Sequence, residues 1–227
     1  MINKFIANTM EAMAGIVDGS TVLVGGFGSS GQPYALIDGL IEHGVRDLTI
    51  VANNAGVACS GLARLLEMRR VRKVICSFPR SSDPRVFGEL YRRGEIELEV
   101  VPQGTLAERI RAGGAGVPAF FTATAAGTLL GEEKEARVFN GRTHILEHAI
   151  TADVALIEAW RADRWGNLLY RGSARNFNPV MATAAKLTIA QTQHVAELGD
   201  LDPEVVVTPG IFVHRVVHIP YGDPEPF

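Results

Sequence analysis

The sequence has no apolar run long enough to cross a bilayer, which takes ~20 consecutive apolar residues. Its first residues, Met1-Ile2-Asn3-Lys4-Phe5, lead into a mixed segment that lacks an apolar stretch followed by a small-residue cleavage site. We therefore expect no membrane span and no signal peptide, and we expect the protein to act in the cytoplasm.

Cysteine is scarce, and the sequence has no excess of positive charge. Cys59 and Cys76 stand too far apart for a Cys-x-x-Cys redox or zinc pair, and two cysteines do not make a disulfide framework. The 22 lysines and arginines are outnumbered by 25 acidic residues and form no basic stripe. Reduced thiols and a net charge of −3 favour a cytosolic protein that does not bind nucleic acid.

No linker, charge block or internal repeat divides the 227 residues. Domains commonly hold ~100–200 residues, so we expect a single domain over 1–227. The composition is 47% hydrophobic and 21% charged, which is an ordinary balance for a globular protein.

Short apolar runs alternate with segments of helical period in the first half. The runs that predict strands are 21–24, 47–52, 71–76 and 96–101. Between the first two, Leu36, Leu40 and Ile41 share a helical face, and Gly44 is placed to end the helix. Strands that alternate with helices need crossover connections. The pattern therefore predicts an α/β fold, an open and mainly parallel sheet with helices on both faces.

The second half adds an antiparallel signal. Asn140-Gly141 stands between two short apolar runs, and because both residues tolerate φ > 0 it predicts a hairpin. The nearly continuous apolar run 153–160 predicts a central strand, and Trp165-Gly166-Asn167 predicts a turn back. The runs 187–191 and 216–219 are further strand candidates. We expect a small antiparallel portion beside the parallel sheet.

Gly26-Phe27-Gly28-Ser29-Ser30-Gly31 matches G-x-G-x-x-G between a predicted strand and a predicted helix. Glycines let backbone N–H groups approach an anion, and the helix N-terminus adds a favourable dipole. The loop thus predicts a cradle for a phosphate or acyl group. A tight turn without a ligand is the alternative, although four glycines in seven residues, 25–31, exceed what a turn needs.

A nicotinamide coenzyme makes a further demand. An acidic residue should end the second strand, about 20 residues on, to hold the ribose hydroxyls. Asn53-Asn54 follow that predicted strand at its carboxyl end, and Asp47 stands at its beginning. The sequence therefore disfavours an NAD-dependent oxidoreductase.

Five segments carry a family resemblance. They are 18–33, with Asp-Gly, a hydrophobic triplet, Gly-Gly-Phe and Gly-x-Pro; 51–57, with Asn-Asn-Ala-Gly; 102–116, the longest; 174–179; and 208–213. Five motifs in order are far more specific than any one of them, and together they span essentially the whole chain. On these motifs the sequence resembles the A-type subunits of family I coenzyme A transferases.

The resemblance implies a mechanism shared with a partner. In this family a glutamate attacks an acyl-CoA thioester, and an enzyme–CoA thioester passes CoA to a second acid. That glutamate belongs to the B-type subunit, in a Glu-x-Gly segment. Glu42-His43-Gly44 has similar letters but lies at a predicted helix end in the A-type half. The resemblance therefore implies a heterodimer or heterotetramer with a B-type subunit, with CoA as substrate and no tightly bound cofactor.

The resemblance also implies site residues in this chain. Asn53 and Gln103, each expected at the carboxyl end of a parallel strand, would lie near the reacting carboxyl and thioester groups, where neutral donors stabilise a developing oxyanion. A buried amide with a structural role is the alternative for each. The residues of the CoA-associated loop are Gly25, Gly26, Phe27, Gly28, Ser29, Ser30 and Gly31.

One segment bears on the substrate. The stretch 76–83 departs from the acetoacetate-type chains of the family and looks more like those that act on 3-oxoadipate, with succinyl-CoA as donor. The second carboxylate of 3-oxoadipate suits a guanidinium, so Arg80 is the candidate contact, and a solvated loop arginine is the alternative. Two other readings remain open, an acetate- or acetoacetate-type transferase chain and a non-catalytic, CoA-binding regulatory subunit.

His144-Ile145-Leu146-Glu147-His148 spells an inverted zincin motif. It follows the Asn-Gly turn, however, so we expect a strand, in which the two histidines would stand ~13 Å apart. That separation is too large for a shared zinc ion, and we expect no metal site. Glu158 stands where related chains more often have a basic residue or histidine, and the sequence offers no reason for it.

Overall fold

A nine-stranded sheet forms the centre of the protein. The structure, a computed structural model, describes residues 2–57, 60–79 and 85–220. In spatial order the strands are β1 (Phe5–Ile6), β12 (Arg215–His218), β11 (Ala185–Ala196), β9 (Ala152–Asp163), β2 (Thr21–Val24), β3 (Leu48–Asn54), β4 (Val71–Phe78) and β5 (Glu97–Val100). Neighbours along this path pair in parallel, and β10 (Leu168–Leu169) pairs antiparallel with β9.

Helices cover both faces of this sheet, as the sequence predicted. One face carries α1 (Thr9–Ala12), α2 (Tyr34–His43), α3 (Leu62–Glu67) and α4 (Arg85–Arg92), and the other carries α5 (Gln103–Gly114) and α6 (Asn178–Ala182). Successive strand residues point to opposite faces, so Ile50 packs into the first core and Val51 into the second. Gly44 ends α2 with φ 91°, as expected for a glycine in the left-handed conformation.

A separate three-stranded antiparallel sheet follows α5. Its strands are β6 (Ala119–Thr122), β8 (Arg142–His148) and β7 (Ala136–Phe139), in the order β6-β8-β7. The predicted hairpin is present, with φ 49° at Asn140 and 75° at Gly141. His144 and His148 lie in β8, in the predicted strand conformation, while the buried Glu147 of the same strand pairs with Lys134.

Several elements run past their predicted ends. β3 includes Asn53 and Asn54 because the ladder with β4 continues to the pair Asn54–Phe78. The sequence suggested that Gln103 ends a strand, but in the structure Gln103 is the first residue of α5. Pro102 precedes it with φ −52°, which suits a helix start rather than a continuing ladder. No helix among the described residues is long and apolar enough to span a membrane.

Candidate active site

A cavity of about 490 Å³ opens where the carboxyl ends of β2, β3 and β4 meet the beginning of α5. Ligands of parallel α/β sheets gather at this edge, because the loops after neighbouring strands converge there. Among the described residues, the cavity is lined by Phe27, Gly28, Asn53, Asn54, Val57, Ser77, Phe78 and Gln103. This described lining contains no carboxylate, so it offers hydrogen-bond donors but no acidic nucleophile.

The side chain of Asn53 has a fixed orientation in this cavity. Its Oδ1 accepts hydrogen bonds from Ser77 Oγ at 2.8 Å and from Gln103 Nε2 at 2.9 Å. Asn53 Nδ2 donates to none of the residues that the structure describes, although Asn53 is only 5% exposed. Two donors on the oxygen therefore leave the NH₂ group of a nearly buried amide available to a ligand in the cavity.

Asn53 and Gln103 are thus brought together, as predicted, but their environments differ. Asn53 is buried in β3, whereas Gln103 is exposed and uses its Nε2 to hold Asn53. Ser77 was not singled out in the sequence, where an isolated serine near a strand end carries no signal. Its Oγ also lies 3.0 Å from the backbone oxygen of Asn53. Whether either amide acts in catalysis stays a prediction.

The glycine loop folds into a tight two-residue hairpin over the same cavity. Phe27 and Ser30 exchange backbone hydrogen bonds of 2.9 and 3.1 Å, which leaves Gly28 and Ser29 at the tip. No described residue accepts a hydrogen bond from the backbone N–H groups of Gly28 and Ser29. Gly28 lines the cavity, and a backbone amide there without a described acceptor is suited to an anionic oxygen.

The glycines of the loop serve different purposes. A Cβ on Gly25 would lie 1.8 Å from Asn178 Oδ1, and one on Gly31 would lie 2.4 Å from the backbone oxygen of Ala174. Gly26 has φ 114°, and a Cβ there would lie 3.0 Å from Gln32 Cα, which is a tight contact. A Cβ on Gly28 would meet nothing within 4 Å. Packing within the protein therefore explains three of the four glycines, and only Gly28 faces open space.

Glu158, in β9, has a structural role that the sequence did not reveal. Its carboxylate accepts hydrogen bonds from Gln191 Nε2 at 3.1 Å and from Gln193 Nε2 at 2.9 Å. Gln191 Oε1 in turn accepts the N–H groups of Ala35 and Leu36 at the beginning of α2. Because a carboxylate only accepts, Glu158 fixes the amide of Gln191 with its oxygen toward the helix.

Cys76 provides no nucleophile for the described cavity. Burial raises the pKa of the Cys76 thiol to about 12, so the thiol is protonated at neutral pH, and the thiol form is a poor nucleophile. Cys59 and Arg80, the predicted substrate contact, both lie outside the described residues. The contact between Arg80 and substrate therefore stays a prediction.

Residues 6–218 match the Coenzyme A transferase family. The chain is 61% identical over 219 residues to the A subunit of 3-oxoadipate CoA-transferase from Pseudomonas putida, covering 96% of this chain and 95% of that protein. It is 52% identical over 215 residues to the A subunit of succinyl-CoA:3-ketoacid coenzyme A transferase from Xanthomonas campestris pv. campestris, covering 94% and 88%.

Solved structures share the fold. Glutaconate coenzyme A-transferase from Acidaminococcus fermentans superposes with a TM-score of 0.85 at 21% identity, over 96% of this chain and 76% of that one. An acyl-CoA transferase from E. coli O157:H7, solved as a thioester complex with CoA, gives 0.84 at 21% identity and is covered over 47% of its length. With the family match over nearly its whole length, this chain belongs to the coenzyme A transferase family.

Proposed function

We propose that this chain is the A-type half of a two-subunit transferase that moves CoA from succinyl-CoA to a 3-oxoacid. The 3-oxoacid that we propose is 3-oxoadipate. The observation that carries the proposal is the donor-lined cavity. Asn53, a fixed amide, and Gly28, whose backbone N–H has no described acceptor, line the same cavity, with no carboxylate in the described lining. Such a half-site needs a nucleophile from outside.

The chemistry that fits this half-site is acyl transfer through a carboxylate of the partner. A glutamate attacks the thioester carbonyl, CoA leaves as the thiolate, and a mixed anhydride forms. The thiolate then attacks the glutamyl carbonyl, which releases the first acid and leaves CoA on the glutamate. The second acid takes CoA by the reverse sequence. Each attack places negative charge on a carbonyl oxygen, and neutral donors such as Asn53 Nδ2 stabilise that charge.

The need for a B-type partner is supported by the relatives. The Pseudomonas putida and Xanthomonas campestris proteins are both named as A subunits. The chain also covers less than half of the E. coli acyl-CoA transferase, whose single chain has room for a second half. We propose a heterodimer or heterotetramer of A-type and B-type chains, in which this chain is one A-type domain and CoA enters as a substrate. The complex works in the cytoplasm, where a free thiol such as Cys76 is usual.

The proposal predicts activity only from the assembled pair. The chain co-expressed with a B-type partner that carries Glu-x-Gly should exchange CoA between succinyl-CoA and 3-oxoadipate with ping-pong kinetics. Either chain by itself should give no turnover above the uncatalysed rate, because the donors and the nucleophile are on different chains. The measurement is 3-oxoadipyl-CoA formation by liquid chromatography. Turnover by the lone chain, or none by the pair with any 3-oxoacid, would contradict the proposal.

Arg80 is proposed to select 3-oxoadipate over acetoacetate. The two acids share the reacting end and differ in the second carboxylate, so a charge-assisted hydrogen bond to it contributes ~1.5–3 kcal/mol, or about 10–100-fold. Arg80→Ala should lower kcat/KM for 3-oxoadipate by that factor and leave acetoacetate nearly unchanged. Arg93→Ala, an exposed arginine just beyond α4, is the control. An equal loss of kcat/KM for both acids would contradict the contact between Arg80 and the second carboxylate. A preference of the wild type for acetoacetate would indicate the acetoacetate-type enzyme.

A further inference from the structure

The segment 173–178, which follows β10, contacts the glycine loop, 25–31, although more than 140 residues separate the two in the sequence. The side chain of Asn176 makes four hydrogen bonds, two of them to this loop. Its Oδ1 accepts the N–H groups of Gly26 at 3.1 Å and Phe177 at 2.6 Å. Its Nδ2 donates to the backbone oxygens of Ser30 at 3.0 Å and Ser173 at 2.8 Å. One amide thus bridges both sides of the loop's hairpin and ties them to 173–177.

A second asparagine fixes the base of the loop. Asn178 is fully buried, and its Oδ1 accepts the N–H of Glu158 at 3.0 Å. Its Nδ2 donates to the backbone oxygens of Gly31 at 3.0 Å and Ala174 at 2.8 Å. Gly25 and Gly31 flank this side chain closely enough that neither has space for a Cβ. The base of the loop is therefore fixed by packing, while its two sides depend on Asn176.

The loop has little else to keep its shape. Within it, the two bonds between Phe27 and Ser30 are the backbone pairs that the structure describes. Gly26 and Gly28 adopt φ 114° and 61°, and glycines have many other conformations available. A loop of this kind orders its tip only if further contacts restrict it. The bonds of Asn176 to Gly26 and Ser30 supply that restriction, and a hydrogen bond between the hydroxyls of Ser30 and Ser173 adds a weaker one.

We propose that Asn176 is a positioning residue that holds the glycine loop in the shape that presents the backbone amide of Gly28, which lines the cavity, to the acyl oxygen. The inference rests on the transferase function proposed above. The role calls for an amide side chain, because Oδ1 must accept from Gly26 while Nδ2 donates to Ser30. Alanine loses both bonds. Aspartate keeps the acceptor but turns a second carboxylate oxygen toward two backbone carbonyl oxygens.

The kinetic test uses the assembled transferase. Asn176→Ala should lower kcat about 10–100-fold, as expected when donors are displaced by a fraction of an ångström to 1 Å. KM for succinyl-CoA should change by less than about 3-fold, because the lost interaction acts mainly in the transition state. Asn176→Asp should be no better than alanine. Asn176 is half-buried, so its removal leaves no large internal cavity, and both variants should assemble.

The matched control is Asn8→Ala, at the beginning of α1, outside both the glycine loop and the segment 173–178 that holds it. It removes the hydrogen bond from the N–H of Glu11 to Asn8 Oδ1. It should lower Tm while leaving kcat per assembled complex unchanged. A merely structural Asn176 would behave in the same way. Wild-type kcat per assembled Asn176→Ala complex would therefore overturn the proposal while leaving the transferase function intact.

A second readout does not depend on activity. Amide hydrogen exchange of the peptide that spans 25–31 should be at least about 10-fold faster in Asn176→Ala, since the N–H of Gly26 loses its acceptor. Peptides from β11, on the far side of β9, should exchange as in the wild type. Unchanged exchange at 25–31 would refute the positioning role of Asn176 even if the complex proved to have no transferase activity. The positioning role and the transferase function are therefore tested independently.

Discussion

Asn53→Ala is expected to lower kcat of the assembled transferase by about 10²–10³-fold. Removal of one fixed oxyanion donor typically costs about 3–4 kcal/mol of transition-state stabilisation. Asn53 Nδ2 fits this role, since the amide is buried at the cavity, its oxygen is held by Ser77 and Gln103, and its nitrogen has no acceptor among the described residues. The measurement is steady-state exchange at saturating succinyl-CoA, together with the rate of formation of the glutamyl-CoA thioester by mass spectrometry.

Two neighbouring substitutions separate a direct role from a positioning role. Ser77→Ala and Gln103→Ala each remove one of the two donors to Asn53 Oδ1, so each should cost kcat about 10-fold if the residue only orients Asn53. Gln103 was expected from the sequence to contact the reacting groups itself. A loss for Gln103→Ala as large as that for Asn53→Ala would support that direct contact. Wild-type turnover in Asn53→Ala would reduce Asn53 to a structural amide.

Gly25→Ala is expected to destabilise the chain by about 3–5 kcal/mol. The new Cβ would lie 1.8 Å from Asn178 Oδ1, so Asn178 must move. Overpacking of a filled core costs about 1–3 kcal/mol, and each buried group left without its partner costs a similar amount. Displacing Asn178 would weaken both its hydrogen bond from the N–H of Glu158 and its hydrogen bond to the backbone oxygen of Gly31. Urea unfolding followed by circular dichroism gives the free energy of unfolding.

Gly28→Ala is the matched comparison in the same loop. Its Cβ meets nothing within 4 Å, so its stability cost is limited to the strain of φ 61°, about 1–2 kcal/mol. Its methyl group would stand at the cavity, however, so transferase activity should fall more than stability does. Equal stability losses for Gly25→Ala and Gly28→Ala would mean that close packing against Asn178 is not the reason for a glycine at position 25.

The local sequence determined much of the fold. The predicted strand 21–24 matches β2 residue for residue, because a short β-branched run that ends in two glycines leaves little choice. Gly44 ends α2, and Asn140-Gly141 forms the hairpin, since both depend on backbone conformations that few other residues adopt. The alternation of strands with helices was enough to predict a parallel sheet covered on both faces. The ordered motifs were enough to predict the family.

Only the tertiary structure decided how the site is built. β3 extends to Asn54 because β4 pairs with it there, and no local pattern marks that end. The glycine-rich loop suggested a ligand, yet Gly25 and Gly31 are glycines because Asn178, about 150 residues away, needs the space. Asn176 lies in the motif 174–179, but neither that motif nor any periodicity predicts the bonds that Asn176 and Glu158 make. Their partners are far apart in the chain, and local propensity contains no information on which distant groups the folded sheet brings within hydrogen-bonding distance.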